Sequence, residues 1–455
     1  MKLTGFLFAA ALLGACTQAA EENYTRHVDP KIGTGGHGHV FVGANVPFGL
    51  VQVGPTSIPQ TWDWCSGYHA SDSTVIGFSH THLSGTGIGD LFDVTVMPVT
   101  GDVTYARGTE DDPTSGLWSY ADRTQEIARP GYYSVPLTRY GIRAELTATA
   151  RVGLHRYTFP ASEKAAVVFD LENGGCWDKA TETHLAKEGD RTVTGWRHST
   201  GWAKDQRVYF AAEFSKPFEK FETIGDNYAR ASFRTTDGEQ VSLKVALSPV
   251  SVEGAKANLA AELSGWDFEE TAAAADKAWN DELSKVKIET EDETSKRIFY
   301  TALYHTMVAP SLFCDVNGDY RGADGKVHEN PGRDTYTTFS LWDTYRAAMP
   351  LMTVLHPERM PDIIQTMLHI ADEQGRLPVW HLWGNETDCM VGNPGIVAVA
   401  DAIVKGIGGF DREKAFEAIR KTAMNPDRGN GLRMEYGYIP CEMFNEAVAY
   451  DMEYA

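Results

Sequence analysis

The chain is 455 residues long and 42% apolar, and it is strongly acidic, with a formal net charge of −21 at pH 7 and a pI near 5.1. This length and apolar fraction can bury large cores, and the length favours two or more domains. The acidity argues against nucleic acid and against an anionic membrane surface as partners, because both are bound by clustered Lys and Arg.

The N-terminal segment has the pattern of an export signal. In MKLTGFLFAAALLGAC an apolar run from Leu3 to Leu13 follows a lysine and precedes small residues that end at Cys16. The run is shorter than the roughly 18 apolar residues of a membrane-spanning helix. LGAC resembles a bacterial lipobox, which predicts lipidation at Cys16; a plain secretory signal with a coincidental cysteine is the alternative. We therefore expect residues 1–22 to be a lipoprotein signal peptide and tether.

These features predict an exported bacterial lipoprotein, in the periplasm or on the outer-membrane surface, that contacts the membrane only through its lipid. Five further cysteines follow: Cys65, Cys176, Cys314, Cys389 and Cys441. An odd number leaves at least one thiol free, and their wide spacing contains no CxxC metal motif. We interpret them as buried or loosely paired structural residues.

Residues 23–252 have the pattern of strands and turns. In IRAELTATARVGL, apolar residues from Ile142 to Leu154 alternate with polar ones, and KAAVVFDL, RVYFAAEF and QVSLKVALSPV are further short apolar runs. Period two indicates strands with one buried face, and no helices intervene. The region is therefore predicted to be an antiparallel β-sandwich. A helical linker is predicted over residues 253–290, from the alanine-rich segments ANLAAEL and EETAAAADKAWNDEL.

Residues 291–455 are predicted to be mainly helical. The segments with apolar residues at helical spacing are KRIFYTALYHTMVA, LWDTYRAAMPLMTVLH, PDIIQTMLHIADE, GIVAVADAIVKGI and DREKAFEAIRKTA. This succession suggests an (α/α)6-type toroid, although a helical solenoid would fit the same pattern. The final letters, EMFNEAVAYDMEYA, end inside an unfinished helix. We therefore expect an incomplete toroid, cut short at its C terminus.

Two glycine-rich segments carry histidine pairs. KIGTGGHGHVFVGANVPFGL contains His37 and His39, and GFSHTHLSGTGIGD contains His80 and His82. An HxH pair can ligate a metal, but no HExxH motif or third ligand at fixed spacing accompanies either pair. Hydrogen bonding in a glycine-shaped crevice is the better interpretation.

One segment, DVNGDYRGADGK, begins like a calcium loop. Asp315, Asn317 and Asp319 occupy its first, third and fifth positions. Tyr320 stands where the sharp turn needs Gly, and Lys326 stands where a bidentate Glu belongs. We interpret the segment as a polar turn, and we identify no metal ligand in the chain.

A loop and a helix supply candidate ligand contacts. TWDWCSGYH places Trp62 and Trp64 beside a glycine turn, where they form either a ligand platform or part of a core. In FSLWDTYR, the i, i+3 spacing of Asp343 and Arg346 lets the two side chains pair across one helical turn. The pair is either a structural ion pair or a sugar-hydroxyl acceptor held by an arginine.

The segment GRLPVWHLWGNETDCMVGNPG places a single carboxylate, Glu386, between an aromatic run and two turns. Burial among Trp380, Trp383 and Met390 would disfavour its anion and keep the acid protonated. A carboxylic acid of this kind can protonate a glycosidic oxygen at neutral pH.

Five blocks, in this order, resemble glycoside hydrolase family 92, the calcium-dependent exo-acting α-mannosidases. The blocks are VDPKIGTGGHGHVFVGANVPFGLVQVGP, WDWCSGYHASDSTVIGFSHTHLSGTG, LWDTYRAAMPLMTVLHPE, GRLPVWHLWGNETDCMVGNP and GYIPCEMFNEAVAYDMEYA. The resemblance runs from about residue 24 to the last residue. It implies a β-sandwich packed on an (α/α)6 catalytic domain. It also implies inversion at the anomeric carbon, calcium as cofactor, and mannose-containing glycans of N-glycan or mannan type as partners.

The resemblance also implies roles for individual residues. Glu386 of GNETDCM matches the general acid, and Asp343 of LWDTYR matches a residue that holds the terminal mannose. Trp62 and Trp64 fall where the family contacts its sugar. The remaining expected substrate-binding residues are Arg346, His80, His82 and Asn385. His381 departs from the family pattern, in which Glu is more frequent, and this puts the linkage preference in doubt.

Inversion needs a second carboxylate about 6.5 to 9.5 Å from the acid, to activate water. We identify no such base here, and the resemblance implies that the base and the main calcium ligands lie in a later block of the catalytic domain. We therefore expect the parent protein to be an inverting exo-α-mannosidase and the 455 residues alone to lack turnover. The alternative is a lipid-anchored glycan-binding protein that uses the tryptophan loop and Asp343 without catalysis. The oligomeric state stays open.

Overall fold

The computed structural model describes residues 22–112 and 114–454. The expected lipidation site, Cys16, and all of the expected signal segment except its last residue lie outside these ranges. Strands dominate the chain as far as Ser248, and helices dominate from Val252 onward. No helix in the described ranges combines the length and the apolar character needed to cross a bilayer.

The N-terminal region contains sixteen strands among the described residues. Their bounds are β1 Gly54–Thr56, β2 Thr74–Val75, β3 Gly77–Ser79, β4 Thr95–Thr100, β5 Ser119–Tyr120, β6 Ile127–Arg129, β7 Tyr132–Leu137, β8 Ile142–Ala148, β9 Val152–Phe159, β10 Ser162–Asp170, β11 Lys179–Glu188, β12 Thr192–Thr200, β13 Gln206–Phe214, β14 Lys220–Ile224, β15 Tyr228–Thr235 and β16 Glu239–Ser248. Short 3-10 turns lie at Thr25–His27, Trp62–Trp64 and Arg123–Gln125.

Most of these strands form two antiparallel sheets. One sheet has the order β1-β3-β4-β10-β15-β14, and the other has the order β11-β12-β13-β16-β9-β8-β7-β6. Apolar side chains from both sheets, such as Val167 and Phe210, belong to one buried core. This arrangement is the packing of a β-sandwich and confirms the predicted antiparallel sandwich.

The alternating segment IRAELTATARVGL forms two strands rather than one. The chain turns after Ala148, where the amide of Thr149 donates to the carbonyl of Val152 at 2.8 Å. Ala148 then pairs with Gly153 across the hairpin. The alternation that indicates the strands does not reveal the hairpin, because period two continues across a turn this tight.

Helices and short strands make up the second region. The helices are α1 Val252–Glu262, α2 Phe268–Leu283, α3 Glu293–His305, α4 Leu341–Thr344, α5 Ala348–Leu355, α6 Met360–Gln374, α7 Pro394–Val404, α8 Arg412–Ala423, α9 Asn430–Tyr436 and α10 Ala447–Tyr454. The strands are β17 Ser311–Leu312, β18 Tyr320–Arg321, β19 Val327–His328, β20 Tyr336–Thr337, β21 Phe339–Ser340, β22 Trp380–Leu382 and β23 Asn385–Glu386. A helical domain follows the sandwich, as predicted, and its closure into a toroid stays a prediction.

One predicted helix is divided. LWDTYRAAMPLMTVLH forms α4 and α5, with a turn at residues 345–347 between them. Pro350 lies in the first turn of α5, where its missing amide hydrogen leaves no intrahelical bond unmade. A continuous helix would instead place that ring against the carbonyl of Arg346, four residues earlier.

The polar turn DVNGDYRGADGK joins the two regions. Asp315 is buried, and its carboxylate accepts hydrogen bonds at 2.8 Å from Ser248 at the end of β16 and from Asn258 of α1. Desolvation raises the pKa of Asp315 to about 6. The carboxylate therefore anchors α1 to the sandwich, in agreement with the interpretation of this segment as a polar turn.

Candidate active site

The candidate site lies where a small sheet of the helical domain meets loops of the sandwich. The sheet has the order β21-β22-β23, with Phe339 opposite His381 and His381 opposite Glu386. Two residues, Trp383 and Gly384, join β22 to β23 with φ angles of 47° and 79°. Positive φ at both positions is the requirement of a type I′ turn, the tight turn that matches strand twist.

Trp383 is an unusual residue for a left-handed backbone, and tertiary contacts hold it there. Its side chain is 3% exposed, and its ring centroid lies 5.3 Å from that of Phe313 in an edge-on contact. Its amide donates to the Thr337 hydroxyl at 2.8 Å. The hairpin that carries Glu386 is therefore rigidly fixed.

The Glu386 carboxylate is half-buried and accepts three main-chain hydrogen bonds. One oxygen accepts from the amides of Trp380 and Asp388, both at 2.9 Å, and the other accepts from the amide of Val379 at 2.8 Å. Because a main-chain N–H group can only donate, both carboxylate oxygens act as acceptors here. Met390, expected in its apolar surroundings, is 44% exposed. The predicted apolar setting is thus wrong in part, because main-chain amides contact the carboxylate oxygens.

Asp343 lies on α4, which begins directly after β21. Its carboxylate accepts from the Ser340 hydroxyl at 2.5 Å, and its side chain is exposed. It lines a cavity of about 160 Å³ whose lining also includes residues 84–86 of the sandwich. Met349 and Met352 of α5 are among the apolar residues of this lining. Both domains therefore contribute to the cavity that contains the predicted mannose contact.

The predicted ion pair between Asp343 and Arg346 is wrong. Arg346 donates to Glu453 at 3.3 Å, and its guanidinium lies over the rings of Trp342 and Tyr345. Helix α4 ends at Thr344, so the spacing that would bring the two side chains together across one turn is not maintained. Arg346 is not among the residues that line the cavity.

The two tryptophans of the predicted platform differ in environment. Trp62 is 49% exposed, and its indole nitrogen donates to the carbonyl of Gly87 at 2.8 Å. Trp64 is half-buried, stacks on His69 at 4.4 Å and donates to Asp72 at 2.7 Å. Gly87 directly follows residues 84–86 of the cavity lining, so Trp62 is the more exposed tryptophan beside the cavity, although its ring also contacts His37 and His39. Trp64 is a structural residue.

His80 and His82 lie inside the sandwich, with exposures of 0% and 3%. His80 contacts the Val94 carbonyl at 2.6 Å and His155 at 2.9 Å, and His82 contacts the Gln52 carbonyl at 2.8 Å. Desolvation lowers the pKa of His80 to about 3 and that of His82 to about 4, so both are neutral. The predicted substrate contacts are corrected here to buried hydrogen-bonding residues, because neither ring reaches the surface.

Asn385 fastens the hairpin to the sandwich. Its side-chain oxygen accepts from the Asp205 amide, and its nitrogen donates to the Asp205 carbonyl, both at 3.0 Å. The nitrogen also donates to the carbonyl of Trp383 at 2.9 Å. These bonds occupy both donor positions and one acceptor position of the amide. The predicted sugar contact is therefore corrected to an interdomain contact.

Several residues that position the site were not among those predicted from the sequence. Trp202 of the sandwich contacts Trp380 of the helical domain. Asp90 accepts hydrogen bonds from the amides of Trp202 and Ala203 at 3.0 and 2.8 Å. These residues lie in loops between strands, where function often concentrates. A tryptophan within the loop sequence GWAKDQ is the signal that could have identified the contact.

The segment after Glu386 is held by two arginines. Arg376 and Arg428 both form ion pairs with Asp388, and Arg428 also donates to the carbonyl of Met390. Asp388 and Met390 have positive φ angles of 54° and 70°. The arginines therefore stabilise a strained segment directly beside the candidate acid.

His381, the departure from the family pattern, is buried in the centre of the small sheet. Desolvation lowers its pKa to about 3, and its nearest hydrogen-bonding partner is the Thr337 hydroxyl at 3.3 Å. The neutral imidazole therefore belongs to the central strand, β22, which lies between β21 and β23.

A calcium site is not evident in the described residues. Their one cluster of three potential ligands is Glu282, His356 and Glu358. Lys285 lies 2.7 Å from Glu282 and 2.8 Å from Glu358, so an ammonium group already forms ion pairs with both carboxylates. At the cavity, Asp343 is the only carboxylate among the lining residues. Calcium prefers several oxygen ligands, including carboxylates. The donors described here therefore do not fit the ion.

Sequence profiles match nearly the whole chain. The profile described as the glycosyl hydrolase family 92 N-terminal domain matches residues 27–248, and the profile of the family 92 catalytic domain matches residues 254–455. A relative from Arthroderma benhamiae, described as an uncharacterized secreted glycosidase, is 26% identical over 98% of this chain and 59% of its own length.

Solved structures of similar fold include two from Bacteroides thetaiotaomicron. One is a family 92 α-mannosidase, solved in complex with mannoimidazole, with 38% identity and a TM-score of 0.91 over 95% of this chain and 60% of its own. The other is a family 92 inverting mannosidase, with 28% identity and a TM-score of 0.83 over 95% and 60%. The chain thus spans about 60% of the length of the relatives it matches.

Proposed function

Because the chain belongs to glycoside hydrolase family 92, we propose that it acts in an exo-α-mannosidase that removes terminal α-linked mannose from N-glycans or mannans. Two structurally similar proteins are mannosidases, and one of them was solved with mannoimidazole. Since the chain covers about 60% of their length, the activity of the whole protein is part of the proposal.

The observation that carries the proposal is the cavity at the seam between the two domains. Its lining combines the Asp343 carboxylate of the helical domain with residues 84–86 of the sandwich, and the Trp62 ring is bonded to Gly87, the next residue. A carboxylate accepts hydrogen bonds from sugar hydroxyls, and an aromatic face stacks on the apolar face of a pyranose. An aromatic surface with one convergent charged group is a common composition for a small-ligand site.

Glu386 is the proposed general acid. Its role rests on its match to the family position and on its place in a rigid hairpin of the same small sheet from which α4 and Asp343 begin. Proton donation requires that one carboxylate oxygen turn from its amide donors toward the glycosidic oxygen. In the proposed inverting reaction, water attacks the anomeric carbon from the opposite face while the acid protonates the leaving oxygen.

We further propose that a second carboxylate and a calcium site complete the whole protein. The family resemblance implies that both come from a later block of the catalytic domain. Calcium, when bound, would polarise and hold the sugar hydroxyls. On this proposal the 455-residue chain holds a terminal sugar but does not turn it over.

Export is proposed from the N-terminal pattern and from the secreted relative. Lipidation at Cys16 is a finer proposal, which mass spectrometry of the protein from its native envelope would test. A mass increase on an N-terminal Cys16 peptide is expected, whereas an unmodified peptide that begins elsewhere would contradict lipidation and leave export standing.

The decisive experiment compares this chain with a version extended to the length of its relatives, with α-linked mannobiose as substrate. We expect free mannose from the extended version only, and loss of that release in the presence of a chelator. Retention of mannobiose without any release, by both versions, would instead favour a non-catalytic glycan-binding protein. If mannobiose is neither hydrolysed nor retained, both functions are contradicted.

A further inference from the structure

Two cysteines from different loops of the sandwich meet beside the Trp62 platform. Cys65 follows the 3-10 turn Trp62–Trp64 and is fully buried, whereas Cys176 lies half-buried between β10 and β11. The thiol of Cys176 donates to the carbonyl of Thr61 at 3.7 Å, and the Cys65 amide donates to the Trp62 carbonyl at 3.1 Å. Both cysteines are free in this structure, and each thiol shifts the pKa of the other.

We propose that Cys65 and Cys176 form a disulfide bond that joins the tryptophan loop to the loop at residues 172–178. The Cys176 thiol already contacts Thr61, four residues before Cys65, so little backbone movement is needed to bring the two sulfurs together, which is the main geometric condition for a disulfide. Two of the other cysteines have different contacts. Cys314 contacts Arg151 and Thr335, and Cys441 contacts Glu442.

The environment of the pair assigns different roles to the two sulfurs. The hydrogen bond from Cys65 lowers the pKa of Cys176, and the nearby Arg107 guanidinium lowers it further. Cys176 is also the more exposed of the two. The thiolate, rather than the thiol, is the nucleophile in disulfide exchange. Cys176 is therefore the attacking sulfur, and buried Cys65 is the resolving sulfur.

The oxidation is balanced by thiol–disulfide exchange with a small or protein disulfide. The Cys176 thiolate attacks one sulfur of that disulfide, forms a mixed disulfide and releases one thiolate. Cys65 then loses its proton and attacks Cys176, which releases the second thiolate. Two protein thiols are oxidised to one disulfide, and the oxidant is reduced to two thiols. Secretion of a relative is consistent with an oxidising compartment.

The bond would hold the candidate site from its sandwich side. A Cβ atom on Gly89 would lie 2.6 Å from Cβ of Cys176, and one on Gly87 would lie 2.5 Å from the Trp62 ring. The 87–89 segment is therefore packed tightly against both loops. A covalent link between these loops would fix the position of Trp62 relative to the 84–86 wall of the cavity.

The test uses the purified wild-type protein, incubated with oxidised glutathione, denatured in N-ethylmaleimide and mapped by mass spectrometry without reduction. We expect a linked pair of peptides containing Cys65 and Cys176, lighter by two hydrogen atoms than the two free peptides. Cys314, Cys389 and Cys441 should carry the alkylating group. Alkylation of both Cys65 and Cys176, or glutathione attached to Cys176 alone, would overturn the proposal.

A second measurement compares urea unfolding with and without a reductant. In wild type, the reductant should lower the unfolding midpoint, because a cross-link over a long loop restricts the unfolded chain. In Cys176→Ser the midpoint should not depend on the reductant. The matched control is Cys389→Ser, which removes another half-buried thiol and should keep the dependence. Equal reductant dependence in wild type and Cys176→Ser would contradict the bond.

Discussion

Trp202 of the sandwich packs against Trp380 of the helical domain, with ring centroids 4.7 Å apart and ring planes at 70°. Edge-to-face contacts of this kind stabilise an aromatic pair beyond the area that they bury. Trp380 begins the hairpin that carries Glu386, and Asn385 at the other end of the hairpin is bonded to Asp205 of the sandwich. Both domains therefore fix the position of the candidate acid.

Substitution Glu386→Gln should strongly slow the release of mannose from an unactivated disaccharide by the extended protein. A general acid contributes roughly 100- to 10,000-fold, so kcat should fall by about that factor. The amide nitrogen of Gln cannot accept a hydrogen bond, so one or two main-chain donors would also lose their partner, at a cost of about 1 to 3 kcal/mol in stability. The assay is mannobiose hydrolysis, together with the thermal midpoint of each variant.

An aryl mannoside with a good leaving group separates the two effects. Its departure needs no proton, so a folded Glu386→Gln enzyme should cleave it at near the wild-type rate. Loss of both activities, together with a lower thermal midpoint, would mean that Glu386 only anchors the hairpin. Undiminished hydrolysis of the disaccharide would contradict the proposed role altogether.

Substitution Asp343→Asn should weaken sugar binding more than it affects the fold. A hydrogen bond to a charged group contributes about 1.5 to 3 kcal/mol, so kcat/KM should fall roughly 10- to 100-fold. Asp343 is exposed, and its one short contact is to Ser340, so the thermal midpoint should hardly change. The matched control is Asp237→Asn, an exposed carboxylate in a distant sandwich turn. Equal kinetics of the two variants would contradict the assignment.

The fold could be predicted from local sequence patterns, but the contacts between residues far apart in the chain could not. Period two and helical spacing indicate buried faces wherever a segment lies, so the sandwich and the helical domain were both predictable. Arg428 and Asp205 act on residues 40 and 180 positions away in the chain, and no local pattern records such distances.

The same limit explains the wrong assignments at the site. His80 and Asn385 stand in motifs that match the family, but burial of the first and the interdomain bonds of the second depend on tertiary packing. Trp62 and Asp343 stay predicted sugar contacts, because an exposed aromatic and an exposed carboxylate after a short strand keep their side chains accessible. A residue's position in a matching motif did not by itself separate side chains that are buried or bonded from side chains that stay accessible.

Trp62→Ala and Trp64→Ala should have different consequences. Trp62 is half-exposed, so its loss should raise KM about fivefold, or roughly 1 kcal/mol, with little change in thermal midpoint. Trp64 stacks on His69 and bonds to Asp72, so its loss should lower stability by about 2 kcal/mol. Kinetics and thermal unfolding of both variants check this contrast. A larger KM effect from Trp64→Ala at unchanged stability would reverse the assignment.

A chelator should remove activity from the extended protein but leave the fold of the present chain unchanged. The described residues offer no carboxylate set suited to calcium, so the thermal midpoint of the 455-residue chain should be the same with EDTA and with added calcium. Mannose release by the extended protein should stop in EDTA and return with calcium, but not with magnesium. A calcium-dependent midpoint in the present chain would place ligands within it.

Glu282 makes the stability of the helical domain depend on pH. Desolvation opposes its ionisation, but hydrogen bonds from His356 and Lys285 outweigh this and lower its pKa to about 2. A carboxyl whose pKa is lower in the folded state stabilises the fold above its unfolded pKa of about 4.5, by about 3 kcal/mol, and loses that contribution as the pH falls toward 2. Glu282→Gln should therefore be less stable than wild type at pH 7, and the difference should shrink from pH 4.5 downward.

Urea unfolding of both proteins between pH 7 and pH 3.5 measures this difference. The control is Glu417→Gln, which removes an exposed carboxylate that forms an ion pair with Arg420. Since Arg359 lies 3.2 Å from Glu282, a difference that stays constant across this range would mean that lost packing, rather than charge, accounts for the destabilisation.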